Sequence, residues 1–230
     1  MVLVLGVSGI VAAIGMYDDW RPVKAATKLA GQAVAALLLV WCGIHLDLPG
    51  GFGANAVVTV CTLVAVTNSI NLLDNMNGLA AGIGAIAAAA FMVMGILTDS
   101  ADVTLLASVV LGSCLGFLPF NFPRARVSMG DAGSLSLEFL LGTLLILTSN
   151  PLAGQSRLGA VIVLSLPAID TCLVVTTRLR RRVNPFTTPG SDHISHILAR
   201  QLASRFAAVT VCWGISALAA MAGIFIALWS

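Results

Sequence analysis

The strongest constraint on this chain is that its charged residues are confined to a few short interruptions of apolar sequence. Apolar runs occupy residues 2–16, 29–46, 54–70, 78–97, 103–120, 134–148, 158–177 and 206–229. A helix needs about 20 such residues to cross a bilayer. Hydrophobic residues make up 58% of the chain and charged residues only 10%. A soluble domain carries about 25% charged residues, so this chain has too little polar surface to cover a globule in water. Backbone polar groups in lipid must be satisfied within each segment, which favours helices. The expectation is an all-α polytopic transmembrane bundle of about eight spans, forming one membrane domain over residues 1–230.

The segments between the runs alternate in character. Those near 47–53, 98–102 and 149–157 are short and poor in basic residues, whereas 17–28, 71–77, 121–133 and 178–205 hold nearly all the lysines and arginines. Counted by side, the basic residues divide 11 to 1, with only Arg157 on the sparse side. Cytoplasmic loops are enriched in Lys and Arg, so the four polar loops are expected to face the cytoplasm. The net charge of +2 does not suggest a nucleic-acid partner. No internal repeat is apparent, although many transporters are built from two related halves. Cys42, Cys61, Cys114, Cys172 and Cys212 are isolated in apolar sequence and are expected to be packing residues. No basic leader or cleavage site precedes the first run, so a cleaved signal peptide is not expected.

Each polar loop carries groups suited to chemistry. Asp18 and Asp19 are adjacent carboxylates at the end of an apolar run, where their repulsion calls for a cation or a proton, unless they form an ordinary solvated helix end. Asn71 and Asp74 are three residues apart, so a helical start to that loop would put an amide oxygen and a carboxylate on one face. Such ligands suit a hard cation like Mg²⁺. Asp131 stands between Gly130 and Gly133, ahead of an apolar run, where it suits an approaching phosphate or a simple helix N-cap. His193 and His196 are two of only three histidines and suggest contacts to a phosphate or sugar. With no thiolate nearby they make a poor zinc site. The Pro-Phe-Thr-Thr-Pro-Gly turn at 185–190 suggests an ordered loop over the site.

Taken together and in order, GMYDDWRPVKAATKLAGQ, TNSINLLDNMNGLAAG, LGFLPFNFPRARVSMGDAGSL and PAIDTCLVVTTRLRRRVNPFTTPGSDHISHIL resemble the polyprenyl-phosphate N-acetylhexosamine-1-phosphate transferase superfamily, glycosyltransferase family 4, with WecA-, TagO- and MraY-like members. The resemblance covers nearly the whole chain. It implies Mg²⁺, or Mn²⁺ in its place, held by Asn71 and Asp131. It implies that Asp18 and Asp19 lie in the acceptor and metal region and that Asp74 is an active-site acid. By the same resemblance Asn77 falls where the family contacts uracil, and His193 and His196 belong to the sugar-nucleotide side. Members usually have about two further helices upstream of the aspartate pair, so the chain is expected to lack its N-terminal spans. Ser128 stands where many members place an aromatic ring, Asn77 where bacterial members favour aspartate, and Ile197 where arginine is frequent.

The implied reaction transfers N-acetylhexosamine 1-phosphate from a UDP-sugar to polyprenyl phosphate and releases UMP. It would initiate cell-envelope glycan synthesis at the bacterial plasma membrane, among membrane lipids, with a homodimer left open. Direct attack by the lipid phosphate is the favoured course, with Asp74 as a covalent nucleophile the alternative. The competing functions are an inactive truncated paralogue and a membrane transporter or flippase. Only Glu138 and Asp170 interrupt the apolar runs in the way a transport path requires, and each is expected near a helix end.

Overall fold

A computed structural model describes residues 1–152, 156–184 and 190–229; the turn expected at 185–190 lies outside the described residues but for Gly190. Among those residues there are ten helices and no strand. They are α1 (Val2–Trp20), α2 (Ala25–Trp41), α3 (Gly51–Leu73), α4 (Leu79–Leu97) and α5 (Ala101–Asn121), then α6 (Gly130–Ser149), α7 (Ser156–Val163), α8 (Ser165–Arg180), α9 (Ile194–Leu202) and α10 (Arg205–Trp229). Six of these, α1, α3, α4, α5, α6 and α10, are long and apolar enough to cross a membrane. The protein is a polytopic membrane helical bundle. α2 is a shorter apolar helix of 17 residues, and α7 and α8 form a pair bent by 67°.

That bend divides the apolar run at 158–177 into two helices where one unbroken helix was expected. Pro167 lies four residues after Val163, the last residue of α7. Its ring has no N–H to offer the Val163 carbonyl and clashes with it, which breaks a helix at this point. Helix ends also run past the apolar runs: α1 continues through the aspartate pair to Trp20, α3 to Leu73, and α6 begins at Gly130 rather than near 134. Hydropathy marks where a helix meets lipid, whereas backbone hydrogen bonding carries it on into the polar interface. One consequence is a second correction. Glu138 is not near a helix end but the ninth residue of α6, and it is wholly buried. Asp170 is likewise wholly buried, as the sixth residue of α8.

The two central helices are α4 and α6, buried over 72% and 67% of their apolar windows, against 28% for α1, α5 and α10. α6 packs between α1 and α3, while α4 packs against α5 and α10. The alanines and glycines of α4 let neighbouring backbones come close, which is how membrane helices gain packing energy without a hydrophobic drive. Phe91 and Phe139 fill the centre with no exposed surface. Cys114 packs into this core and Cys212 into a smaller apolar cluster with Leu79, Ile83 and Leu166, as expected, but Cys42, Cys61 and Cys172 are exposed.

Candidate active site

The loops that follow α1, α3 and α5 meet at one end of the bundle, around the N-terminus of α6. α1 approaches closely there because Gly15 has no side chain: a Cβ at Gly15 would run into the backbone of Asp131. Gly130 supplies the turn into α6 with φ of +63°, a left-handed conformation that glycine adopts without strain.

The adjacent aspartates of α1 do different work. Asp18 accepts a hydrogen bond from the Val23 N–H at 2.6 Å and from the Lys28 ammonium at 2.8 Å. Asp19 accepts from the backbone N–H groups of Asp131 at 2.8 Å and Ala132 at 3.1 Å. These amides are among the free donors of the first turn of α6, so Asp19 caps α6 from another helix. The simple N-cap reading of Asp131 is thereby corrected: Met129 occupies the cap position, and Asp131 lies inside the first turn. Lys28 Nζ also reaches Asp131 Oδ2 at 2.6 Å, so one ammonium bridges Asp18 and Asp131.

A cavity of about 360 Å³ opens beside this cluster, lined by Asn71, Asp74, Asn77, Ser128, Asp131 and Ser134 among others. Asn71 and Asp74, at the end of α3, therefore face the same space as Asp131. The Asn71 amide donates to Ser134 Oγ at 2.9 Å, which leaves its amide oxygen for a ligand. Burial, reinforced by the negative charge of Asp131, pushes the Asp74 carboxyl up to about 6. α3 and α6 run antiparallel here, since Asn71 meets Ser134 and Leu63 lies against Gly142 deeper in the bundle. That register sets Thr67 opposite Glu138 at the level between. Among the described residues neither the Thr67 hydroxyl nor the Glu138 carboxyl has a hydrogen-bond partner.

Asn121 shapes the rim: its carbonyl accepts from the Gly78 N–H at 2.5 Å, and its amide donates to the Val127 carbonyl at 2.8 Å. His193 and His196 do not line this cavity. His196 lines a neighbouring one with Met76, Arg200 and Arg205, and Met76 also borders the first. Burial, followed by the charges of His193, Arg205 and Arg200, holds the His196 imidazole below its usual value. His193 is buried, with Nδ1 2.7 Å from Asp170 Oδ2. Lys28, Asn75 and Asn121 are polar residues of this region that the sequence reading did not single out, and Asp170, which it weighed only for a transport path, instead pairs with His193.

Residues 1–149 match the family model for glycosyl transferase family 4. The chain belongs to this family. Among curated family 4 relatives it is 35% identical to the decaprenyl-phosphate N-acetylglucosaminephosphotransferase of Mycolicibacterium smegmatis, over 98% of this chain and 64% of the relative. It is 33% identical to the protein of the same name from Mycobacterium tuberculosis, with the same coverage. Similarity extends to the phospho-N-acetylmuramoyl-pentapeptide-transferase of Moorella thermoacetica, at 33% identity over 94% of this chain and 72% of that protein. The chain spans under two thirds of the length of the mycobacterial relatives.

The family 4 cluster suits a divalent ion by its donors. Among the described residues no three His, Cys, Asp or Glu side chains group closely enough to hold an ion by themselves. The cavity instead offers two carboxylates, Asp74 and Asp131, and the Asn71 amide oxygen. Mg²⁺ is commonly bound in that way, by one or two carboxylates with waters and substrate phosphates completing its shell.

Proposed function

We propose that this chain is the membrane-embedded catalytic part of a transferase that moves N-acetylhexosamine 1-phosphate from a UDP-sugar to polyprenyl phosphate. The observation that carries this reading is the convergence of Asn71, Asp74 and Asp131 on one cavity, with Lys28 bonded to Asp131. The relatives support it through their names, which pair polyprenyl phosphate with N-acetylglucosamine phosphotransfer. The 11-to-1 basic split supports a cytoplasmic site in a bacterial plasma membrane.

Asn71, Asp74 and Asp131 would hold Mg²⁺, which when bound neutralises the donor diphosphate and the departing UMP. An oxygen of the lipid phosphate forms a bond to the β-phosphorus of the UDP-sugar. The bond from that phosphorus to the bridging oxygen breaks, and the electron pair leaves with UMP. A phosphate monoester has a second pKa near 6, so the acceptor is already largely dianionic at neutral pH and needs no base. Asp18 and Asp19 accordingly position rather than deprotonate: Asp18 holds Lys28, and Asp19 holds the first turn of α6. Lys28 offsets the charge of two carboxylates, and in this reading it would also meet the incoming lipid phosphate. Direct attack needs no protein nucleophile, which leaves Asp74 free for the ion. Asn77 lies on the cavity wall with Ser128, which fits the uracil contact that the family resemblance implies for Asn77.

The test is UMP release from UDP-N-acetylglucosamine by membranes containing this chain. Release that depends on added polyprenyl phosphate supports the reading. Release without acceptor, or none, contradicts it.

A further inference from the structure

Asp170 is an ionisable residue inside an apolar helix, wholly buried, and both of its oxygens are used. A carboxylate buried in a membrane bundle is costly unless it is paired. Nothing on its own helix pairs with it. Its partners lie on the far side of the basic loop: His193 Nδ1 at 2.7 Å from Oδ2, and the Ile194 N–H at 2.6 Å from Oδ1. Ile194 is the first residue of α9, and the cap residue His193 gives that helix no side-chain cap of its own. Asp170 therefore caps α9 from α8. The next residue, Ser195, is also buried and donates to Asn75 Oδ1 at 2.7 Å. Asn75 lines the central cavity. Three consecutive residues are thus fastened, one after another, between α8 and the loop that follows α3.

The pairing also decides the chemistry of His193. Asp170 already accepts the Ile194 N–H, and the tautomer that completes the pair has the proton on Nδ1, donated to Oδ2, which leaves Nε2 as the ring nitrogen for a ligand. The ring lies 6.1 Å from that of His196, which borders the neighbouring cavity with Arg200 and Arg205.

We propose that Asp170 is a positioning residue for the sugar-nucleotide half of the site, fixing the His193 tautomer and docking α9 beside the cavity. This rests on the transferase reading given above. At metal sites, removing the outer partner that orients a histidine ligand typically costs roughly 10- to 100-fold in affinity or activity, and the same scale is taken for a histidine that orients on a substrate. Asp170→Asn should therefore raise the KM for UDP-N-acetylglucosamine or lower kcat by an amount in that range, with the KM for polyprenyl phosphate unchanged. If Asp170 acts through His193, Asp170→Asn combined with His193→Ala should lose no more than His193→Ala alone. Losses that multiply, or an effect confined to the acceptor, overturn the proposal.

Should Asp170→Asn fail to fold, His193→Asn separates the two parts of the role. Its amide can stand in for Nδ1 toward Asp170 but offers nothing in place of Nε2. Hydrogen exchange of α9 should then stay slow while donor kinetics fall, and unchanged donor kinetics overturn the proposal. Absence of UMP formation by the unmodified chain sinks the transferase reading instead. In that event exchange in α9 still tests the docking: Asp170→Ala, which removes both acceptor oxygens, speeds it if Asp170 holds the helix, and unchanged exchange overturns that part of the proposal.

Discussion

Asp19, at the end of α1, caps the helix that carries Asp131: its two carboxylate oxygens accept the Asp131 and Ala132 N–H groups at 2.8 and 3.1 Å. A residue 112 positions away thus sets where the Asp131 carboxylate starts from. Loss of a helix cap costs about 0.5–2 kcal/mol. Asp19→Ala is expected to lower the melting temperature modestly and to weaken divalent-metal dependence, while Asp19→Asn, which keeps one acceptor oxygen, falls between it and wild type. Metal titrations of UMP release check this. An Asp19→Ala protein with the wild-type metal curve would remove Asp19 from this role.

Lys28 gives a prediction of opposite sign to its neighbours. Its ammonium occupies Asp131 and Asp18, so it competes with any cation that Asp131 would hold. Lys28→Ala should bind Mn²⁺ more tightly in the absence of substrate, as followed by electron paramagnetic resonance, and yet turn over far more slowly. Asp131→Ala should lose both. Weaker Mn²⁺ binding in Lys28→Ala would contradict the bridging role.

Asp74 predicts a pH dependence. Its folded value of about 6 lies above the usual carboxylate range because of burial and the Asp131 charge. A raised acid pKa means that the folded state binds more protons than the unfolded state between roughly pH 4 and 6. Metal-free protein should therefore lose stability as pH rises through that window, by at most about 3 kcal/mol, and regain none above it. Asp74→Asn should flatten the curve. Melting temperatures of wild type and variant, measured in chelator from pH 4 to 8, test the sign; a wild-type rise across the window contradicts it.

Glu138 concerns stability alone. Its carboxyl is wholly buried and has no hydrogen-bond partner among the described residues, and such a group costs about 1–3 kcal/mol. Glu138→Met, similar in length and apolar, should raise the melting temperature in detergent without reducing UMP release. A clear drop in either would show that Glu138 has a partner that matters.

Much of this architecture was legible because lipid imposes a simple rule on sequence. The apolar runs located the helices, and the loops holding Asp18, Asn71, Asp74 and Asp131 were recognisable as one set by sidedness and motif order. What stayed hidden was pairing between distant residues. Nothing local marks Lys28 as the partner of Asp131, 103 residues away, or Asp170 as the cap of α9. The break before Pro167 did carry a local signal, but the apolar run continues through it and masks it. The histidines show the limit most clearly. Spacing made His193 and His196 equivalent, whereas the structure buries His193 against Asp170 and leaves His196 on a cavity wall.

The central claim is that the polar loops form one site for sugar-phosphate transfer, and the position of a radiolabel tests it most directly. UDP-N-acetylglucosamine carrying ³²P in the β-phosphate should be incubated with the purified chain, polyprenyl phosphate and Mg²⁺, and the label followed between organic and aqueous phases. The account predicts label in the lipid phase together with an equal amount of UMP, abolished by chelator and by Asp131→Ala. Label that stays aqueous as UDP, or transfer that survives Asp131→Ala, would contradict it.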